Sequence, residues 1–128
     1  MCGIVGILGR SEAGSDRERI LRKMADTLSH RAQDSEGYST KGRCSLGFRR
    51  LSIIDVEAAS PPFANEDETV WSICNGQIYN ARDLTELVRS KGHIVRTATD
   101  TEVIPHLYEE YETGLVKHLN GMFALAVW

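Results

Sequence analysis

The sequence contains few cysteines and no long apolar run. Its 128 residues include three cysteines, Cys2, Cys44 and Cys74, which is an odd number without Cys-x-x-Cys spacing. This pattern argues against a disulfide framework and favours a reducing compartment. Nothing approaches the ~20 consecutive apolar residues of a membrane-spanning helix. The apolar N-terminus has no basic residue before it, unlike a signal peptide. We therefore expect a cytoplasmic protein with no membrane partner.

Basic charge is scarce as well. Lysine and arginine number 15 against 18 acidic residues, and the formal net charge is −3 at pH 7, so a nucleic-acid partner is not expected. The four histidines, His30, His93, His106 and His118, lack the spacing of a common metal motif, and we expect no metal in this domain. With 41% hydrophobic and 26% charged residues, the chain has the composition of one globular domain over 1–128.

The opening residues, Met-Cys-Gly-Ile-Val-Gly-Ile, combine a thiol with a potential amino terminus. If Met1 is removed, Cys2 carries a thiol of pKa ~8.5 and an α-amine of pKa ~7.7–8.0. Such an amine is able to deprotonate its own side chain, as it does for an N-terminal threonine nucleophile. The thiolate would attack an amide, form a thioester and expel ammonia. The alternative is that Cys2 is merely a small buried residue on a first strand.

The first half of the chain predicts two strands and a helix. An apolar, β-branched run predicts a buried strand over 2–8, and a longer strand is predicted over 43–54. A helix is predicted over 15–31, because Ser15 and Glu18 have capping-box spacing and apolar residues recur on one face. Those residues are Ile20, Leu21, Met24, Ala25 and Leu28. The polar stretch over 30–42 predicts a loop.

The second half predicts alternating strands and helices. Strands are predicted over 69–74, 93–98 and 121–128, with Cys44 and Cys74 as core positions of their strands, and turns over 57–68 and 75–80. Helices are predicted over 81–92, 99–112 and 115–119, the first ending at Gly92. Thr99 and Glu102 have capping-box spacing, whereas Pro105 would cost the second helix a hydrogen bond unless it kinks there.

Four polar residues are candidates for handling an amino-acid amide. At the predicted turn, Asn75 and Gly76 can supply N–H donors for an oxyanion. Arg50 can supply a guanidinium for a carboxylate, and Asp100 can supply an anion for an ammonium group. Each also has a structural interpretation. Asn-Gly is a common turn sequence, and arginine doublets are usually solvated. An aspartate at the start of a helix stabilises the helix by interacting with its dipole.

Four separated motifs, taken together, resemble one family. Met-Cys-Gly, "RRLSIID", "NGQIYN" and "TDTEVI" occur in the order and spacing of the class II glutamine amidotransferases, which are N-terminal-nucleophile hydrolases. Among them, the motifs are most similar to the N-terminal glutaminase domain of glutamine-hydrolysing asparagine synthetases. The resemblance implies an α+β fold, a four-layer α/β/β/α sandwich of antiparallel sheets. It also implies hydrolysis of L-glutamine to L-glutamate and ammonia.

The resemblance implies a role for each motif. Cys2 would be the nucleophile with its α-amine as base, and Asn75 and Gly76 the oxyanion hole. Arg50 would bind the glutamine carboxylate and Asp100 the ammonium. The backbone of Leu51, Ser52, Ile53 and Ile54 would line the pocket, with Gln77 beside it. Gln77 departs from the family's glutamate, Phe48 from its histidine, and Ala32-Gln33 from its Gly-Pro pair.

The resemblance also implies a longer protein. The family's domain continues past residue 128, so the domain is expected to be incomplete at its C-terminus, with a synthetase domain or subunit as partner. ATP and Mg²⁺ would belong to that portion, and no cofactor is expected here. An open apolar edge at 121–128 predicts a homodimer or a partner complex. Two alternatives stay open: a non-catalytic module that kept the fold, and a glutaminase serving another acceptor.

Overall fold

Two three-stranded antiparallel sheets, each in its own unit of the chain, organise the residues that the structure describes. The computed structural model describes residues 2–10, 15–51 and 61–128. The two units are Met1–Pro62 and Phe63–Trp128. No helix in these ranges is both long enough and apolar enough to cross a membrane.

The first unit is a sheet with one helix packed on it. In chain order its elements are β1 (Gly3–Leu8), α1 (Ser15–Asp26), β2 (Ser35–Lys41) and β3 (Cys44–Arg50). The strand order is β1-β3-β2, so β3 is the central strand and its residues 44–48 are buried. Helix α1 packs on β1 and β3 and buries Leu21 and Ala25 completely.

The predicted helix and both predicted strands of this unit are confirmed, with changes at their ends. Strand β1 is less buried than predicted, because it lies at the sheet edge, and Leu8 is 66% exposed. Strand β3 ends at Arg50, so its predicted extension fails at Leu51, and 52–54 lie outside the described residues. The side chain of Ser15, and with it the predicted capping box, also lies outside them.

The loop predicted over 30–42 is wrong, because β2 occupies most of it. Strand β2 lies at the sheet edge opposite β1 and has polar side chains, so it lacks the apolar alternation by which strands are recognised. Its pairing with β3 runs from Ser35 opposite Arg50 to Lys41 opposite Cys44. Gly42 turns the chain between them with φ +53°, a backbone conformation that favours glycine.

The second unit packs its helices on a sheet ordered β4-β5-β6. Its elements in chain order are β4 (Phe63–Ala64), β5 (Trp71–Ile78), α2 (Ala81–Ser90), a 3₁₀ helix (Asp100–Glu102), α3 (Val103–Tyr111), a second 3₁₀ helix (Glu112–Lys117) and β6 (Gly121–Val127). Most of their buried apolar residues form one cluster, which includes Cys74, Ile78, Leu84, Val88, Val103, Ile104, Leu107 and Leu115. The predicted helices over 81–92, 99–112 and 115–119 are confirmed, with shifted ends and with 3₁₀ geometry at 100–102 and 112–117. The strand over 121–128 is confirmed as well.

The strand predicted over 93–98 is wrong, because carboxylates take the place of a neighbouring strand. The backbone N–H of Ile94 donates to Glu66 Oε1 at 2.5 Å. The N–H groups of Arg96 and Thr97 donate to the two oxygens of Glu102 at 2.7 and 2.6 Å. Glu102 therefore does not form the predicted capping box with Thr99, whose side chain makes no cap hydrogen bond.

Two further local predictions change. Pro105 does not kink α3, because the helix begins at Val103 and its first-turn N–H groups have no intrahelical acceptor to lose. The turn predicted at Asn75-Gly76 is wrong. Both residues lie inside β5, where β6 pairs with them, and the turn follows at residues 79–80.

Candidate active site

Cys2 lies directly before β1, at one end of the first sheet. Its Sγ is 3.8 Å from the carbonyl oxygen of Leu51, and the residue is half-buried. Gly3 of β1 pairs with Arg49 of β3 in the antiparallel register. The next residues toward that end of the sheet are Cys2, which precedes β1, and Arg50, which is the last residue of β3. The structure thus brings the predicted nucleophile to the same sheet end as Arg50 and Leu51.

The two arginines of the doublet, Arg49 and Arg50, make different contacts. The guanidinium of Arg49 forms ion pairs with Asp26 and, at 3.1 Å, with Glu36. Arg50 instead ends β3, is half-buried, and its carbonyl accepts the N–H of Asp34 at 3.0 Å. Arg49 therefore helps to hold α1 and β2 on β3, which fixes the strand end that presents Arg50.

Asn75, Gly76 and Gln77 occupy the second half of β5 in the other unit. Side chains alternate along a strand, so Asn75 and Gln77 point away from the face on which Cys74 and Ile78 pack with the helices. A Cβ at Gly76 would collide with the carbonyl oxygen of Met122 on β6. Glycine is thus required there by the close approach of the two strands.

Asp100 is anchored to the end of the same strand. Its Oδ2 accepts the backbone N–H of Ile78 at 2.7 Å, and the residue is half-buried at the start of the first 3₁₀ helix. The sequence offered a substrate contact or an interaction with the helix dipole for this aspartate, and the structure adds the hydrogen bond to Ile78. The second unit therefore brings Asp100 to the segment that carries Asn75, Gly76 and Gln77. Residues Ser52, Ile53 and Ile54 of the predicted pocket lie outside the described residues.

The comparison with known families agrees with these motifs. The sequence pattern of the family described as "Glutamine amidotransferase domain" matches residues 1–128. The chain belongs to this family. The predicted membership of an enzyme family is thereby confirmed.

Relatives of the domain include several asparagine synthetases. It is 42% identical over 130 residues to asparagine synthetase [glutamine-hydrolyzing] 1 of Bacillus subtilis, covering 100% of this chain and 21% of that protein. It is 38% identical over 127 residues to the asparagine synthetase of Asparagus officinalis, covering 99% of this chain and 21% of that protein. The chain therefore spans about a fifth of the length of these relatives.

A solved structure has the same fold as this glutamine amidotransferase domain. Glutamine phosphoribosylpyrophosphate amidotransferase of Bacillus subtilis matches with a TM-score of 0.73 at 20% sequence identity, covering 100% of this chain and 35% of that chain. At this identity the likeness concerns the fold alone. It confirms the predicted α+β class with antiparallel sheets.

The residues by which this domain departs from the family motifs lie in different surroundings. Phe48 is buried in the central strand β3, opposite Ile4 of β1 and Gly37 of β2, so its ring is part of the core. Ala32 is completely buried, whereas Gln33 and Gln77 are exposed. Of these four residues, only Gln33 and Gln77 present their side chains to solvent.

The other two cysteines of the domain are core residues, as predicted. Cys44 begins β3 and Cys74 lies on β5, and both are buried. Burial raises the pKa of the Cys44 thiol, which keeps it protonated and unreactive near neutral pH.

A cluster of two histidines and two glutamates in the second unit was missed. Glu66, His93, His106 and Glu109 each place one potential ligand atom within 4.8 Å of the others. The histidines lack a metal motif in the sequence because the four residues come from three separate segments. The only local signal is His106 and Glu109, three residues apart and therefore on one face of α3.

The surroundings of this cluster lower the pKa of Glu66 and the pKa of His106. Burial alone would raise the pKa of Glu66, but the N–H donors of Ile94 and of Glu66 itself outweigh it and lower the pKa to about 2. Burial lowers the pKa of His106 below its usual value of 6.5. A neutral imidazole and an ionised carboxylate are the forms that bind metal ions.

Proposed function

We propose that this domain hydrolyses L-glutamine to L-glutamate and ammonia, as the glutaminase portion of an asparagine synthetase that transfers the ammonia to aspartate. The observation that carries the proposal is Cys2 directly before β1, with its Sγ 3.8 Å from the Leu51 carbonyl oxygen, at the sheet end that bears Arg50. The similarity to glutamine-hydrolysing asparagine synthetases over the whole chain supports the choice of acceptor.

The proposed chemistry begins with removal of Met1. The α-amine of Cys2 takes the thiol proton, and the thiolate attacks the side-chain carboxamide carbon of glutamine. N–H donors of Asn75 and Gly76 would stabilise the oxyanion that forms. The C–N bond then breaks, the proton held by the α-amine goes to the leaving ammonia, and a thioester remains. Water hydrolyses the thioester, which releases glutamate and regenerates the thiol.

Recognition of the free amino acid is proposed to use both of its charged groups. The Arg50 guanidinium would bind the α-carboxylate through paired hydrogen bonds. Asp100 would bind the α-ammonium through Oδ1, because its Oδ2 already accepts the N–H of Ile78. Gln77 would contribute a neutral contact, and the backbone of residues 51–54 would line the pocket.

A synthetase domain or subunit is the proposed partner. The relatives are about five times longer than this chain, and ATP and Mg²⁺ would act in their additional part. We keep the prediction of a homodimer or partner complex, supported by β6, which lies at a sheet edge and exposes Met122 and Phe123. Light scattering across a concentration series tests it, and a monomer at every concentration would contradict it. Cysteine number and spacing support a cytoplasmic location.

Covalent labelling tests the proposed function. The purified 128-residue chain is treated with a glutamine-analogue electrophile, and the adduct is located by peptide mass. We expect one adduct, on Cys2, in a chain that has lost Met1, and protection by free L-glutamine. Cys44 is the internal control, because its buried thiol should stay unlabelled. Retention of Met1, or folded protein without an adduct, would favour the non-catalytic module.

A further inference from the structure

A second group of potential ligands lies in the unit Phe63–Trp128. We propose that Glu66, His93, His106 and Glu109 bind one divalent transition-metal ion of the zinc class. Glu66 follows β4, His93 follows α2, and the other two residues share one face of α3. The ion would tie three separate segments of this unit together, which is a function beyond glutamine hydrolysis.

Three distances between ligand atoms fall in the range expected around a tetrahedral ion, and all four atoms lie within 4.8 Å of one another. Zinc binds histidine nitrogen and carboxylate oxygen at about 2.0–2.2 Å, so neighbouring ligand atoms of a tetrahedron lie about 3.3–3.6 Å apart. His93 Nδ1 is 3.4 Å from Glu66 Oε1 and 3.6 Å from Glu109 Oε2. His106 Nδ1 is 3.4 Å from the same Glu66 oxygen. The distances suit ligands around a common centre.

His106 gives an independent indication of a ligand. Its side chain is 1% exposed, and neither ring nitrogen has a hydrogen-bond partner. Leaving a buried polar group without a partner costs free energy, so such groups in native proteins call for an explanation. A cation bound by Nδ1 would satisfy this nitrogen, which lies near Glu66. Within the described ranges, Glu66 has a carboxylate oxygen within ion-pair distance of both imidazoles.

The outer contacts of the cluster are those of a metal-binding histidine. The Nε2 of His93 is 3.2 Å from Glu110 Oε1, while its Nδ1 faces the cluster. Glu110 in turn forms an ion pair with Lys91. A carboxylate on the far nitrogen fixes the ring orientation and tautomer of a ligating histidine and makes it more basic.

The donor set indicates a structural ion. Two imidazoles and two carboxylates supply four ligands and neutralise a divalent charge, which leaves no open position for a reacting water. Borderline nitrogen and oxygen donors favour zinc and its neighbours over Ca²⁺ or Mg²⁺, which prefer oxygen alone. The ion would add to the carboxylate contacts of residues 93–97 by joining His93 to α3.

Metal titration tests the proposal. The 128-residue chain, carrying Cys2→Ala so that its half-buried thiol does not compete, is stripped with a chelator and titrated with Zn²⁺ against a chromophoric competitor. We expect one ion per chain. Cobalt substitution should give the visible absorption of a tetrahedral site without a thiolate charge-transfer band. The readout does not depend on glutaminase activity.

Matched variants assign the ligands. His93→Gln and Glu109→Gln should each weaken binding more than Glu110→Gln, for which the ~10–100-fold loss of an outer contact is expected. His118→Gln and Glu112→Gln make the same changes at exposed positions and should bind as the parent does. Circular dichroism checks that each variant is folded. Absence of stoichiometric binding by the parent, or equal binding by parent and His93→Gln, would overturn the proposal.

Discussion

Asp100 Oδ2 accepts a hydrogen bond from the backbone N–H of Ile78, with 2.7 Å between the oxygen and the nitrogen. This bond joins the start of a 3₁₀ helix to the end of β5. The same aspartate is the proposed anion for the ammonium group of glutamine. One oxygen accepts the N–H of Ile78, and the other is the one proposed to bind the substrate. Variants that remove the charge and variants that remove the acceptor therefore have different effects.

Asp100→Asn should separate the two roles of this residue. It keeps an oxygen acceptor for Ile78 but loses the negative charge, so KM for glutamine should rise roughly 10–100-fold, as expected for a charged hydrogen bond. Asp100→Ala should in addition lower the free energy of unfolding by about 1–3 kcal/mol, because the N–H loses its acceptor. Steady-state kinetics and urea denaturation measure both. An unchanged KM in Asp100→Asn would remove the aspartate from substrate binding.

Gln77→Glu should strengthen glutamine binding. It restores the negative charge that the family motif has at this position, and Gln77 is exposed on the face of β5 away from the helices. We expect KM to fall roughly tenfold or more. Thr113→Glu adds the same charge at an exposed position of the second 3₁₀ helix and controls for net charge. Equal KM values for the two variants would contradict the prediction.

Glu102→Gln should destabilise the segment that follows α2. The buried carboxylate accepts the N–H groups of Arg96 and Thr97, and an amide offers only one acceptor oxygen for the pair. We expect a loss of about 2–3 kcal/mol in the free energy of unfolding. Hydrogen exchange at both amides should accelerate. Glu86→Gln, in an exposed pair with Arg82, should cost about 0.5 kcal/mol or less.

Gly76→Ala should weaken the pairing of β5 with β6. The added methyl group would meet the carbonyl oxygen of Met122, and overpacking of this kind costs about 1–3 kcal/mol or more. Gly114→Ala is the matched control, because its Cβ would lie 3.9 Å from the Cβ of Tyr111, an ordinary contact. Thermal unfolding compares the two variants. Equal stability would show that the strands can separate at no cost.

Periodic apolar patterns predicted the elements that bury a face, and failed where polar groups determine the structure. Leu21 and Ala25 identified α1, and Leu84 and Val88 identified α2, because helical spacing and burial coincide. Strand β2 was missed since an edge strand with polar side chains has no such pattern. The segment 93–98 has β-branched residues typical of a strand, but carboxylates satisfy its backbone donors instead.

The residues of the candidate active site could be identified from sequence motifs, whereas the histidine cluster could be identified only from the fold. Cys2, Arg50 and Asp100 were identified from short motifs whose chemistry is local. Glu66 and His93 are separated by 26 intervening residues and come together only when the second unit folds. No spacing rule within one segment would have joined them.

The capture of backbone donors by Glu102 has a consequence for solubility. A stretch of β-branched chain with vacant amide groups is a template for intermolecular sheet growth. Here two of those amides are occupied from within the same unit, by a side chain that cannot extend a ladder to another molecule. The carboxylate thus occupies the two N–H groups that a strand of another molecule would need in order to pair with residues 96–97.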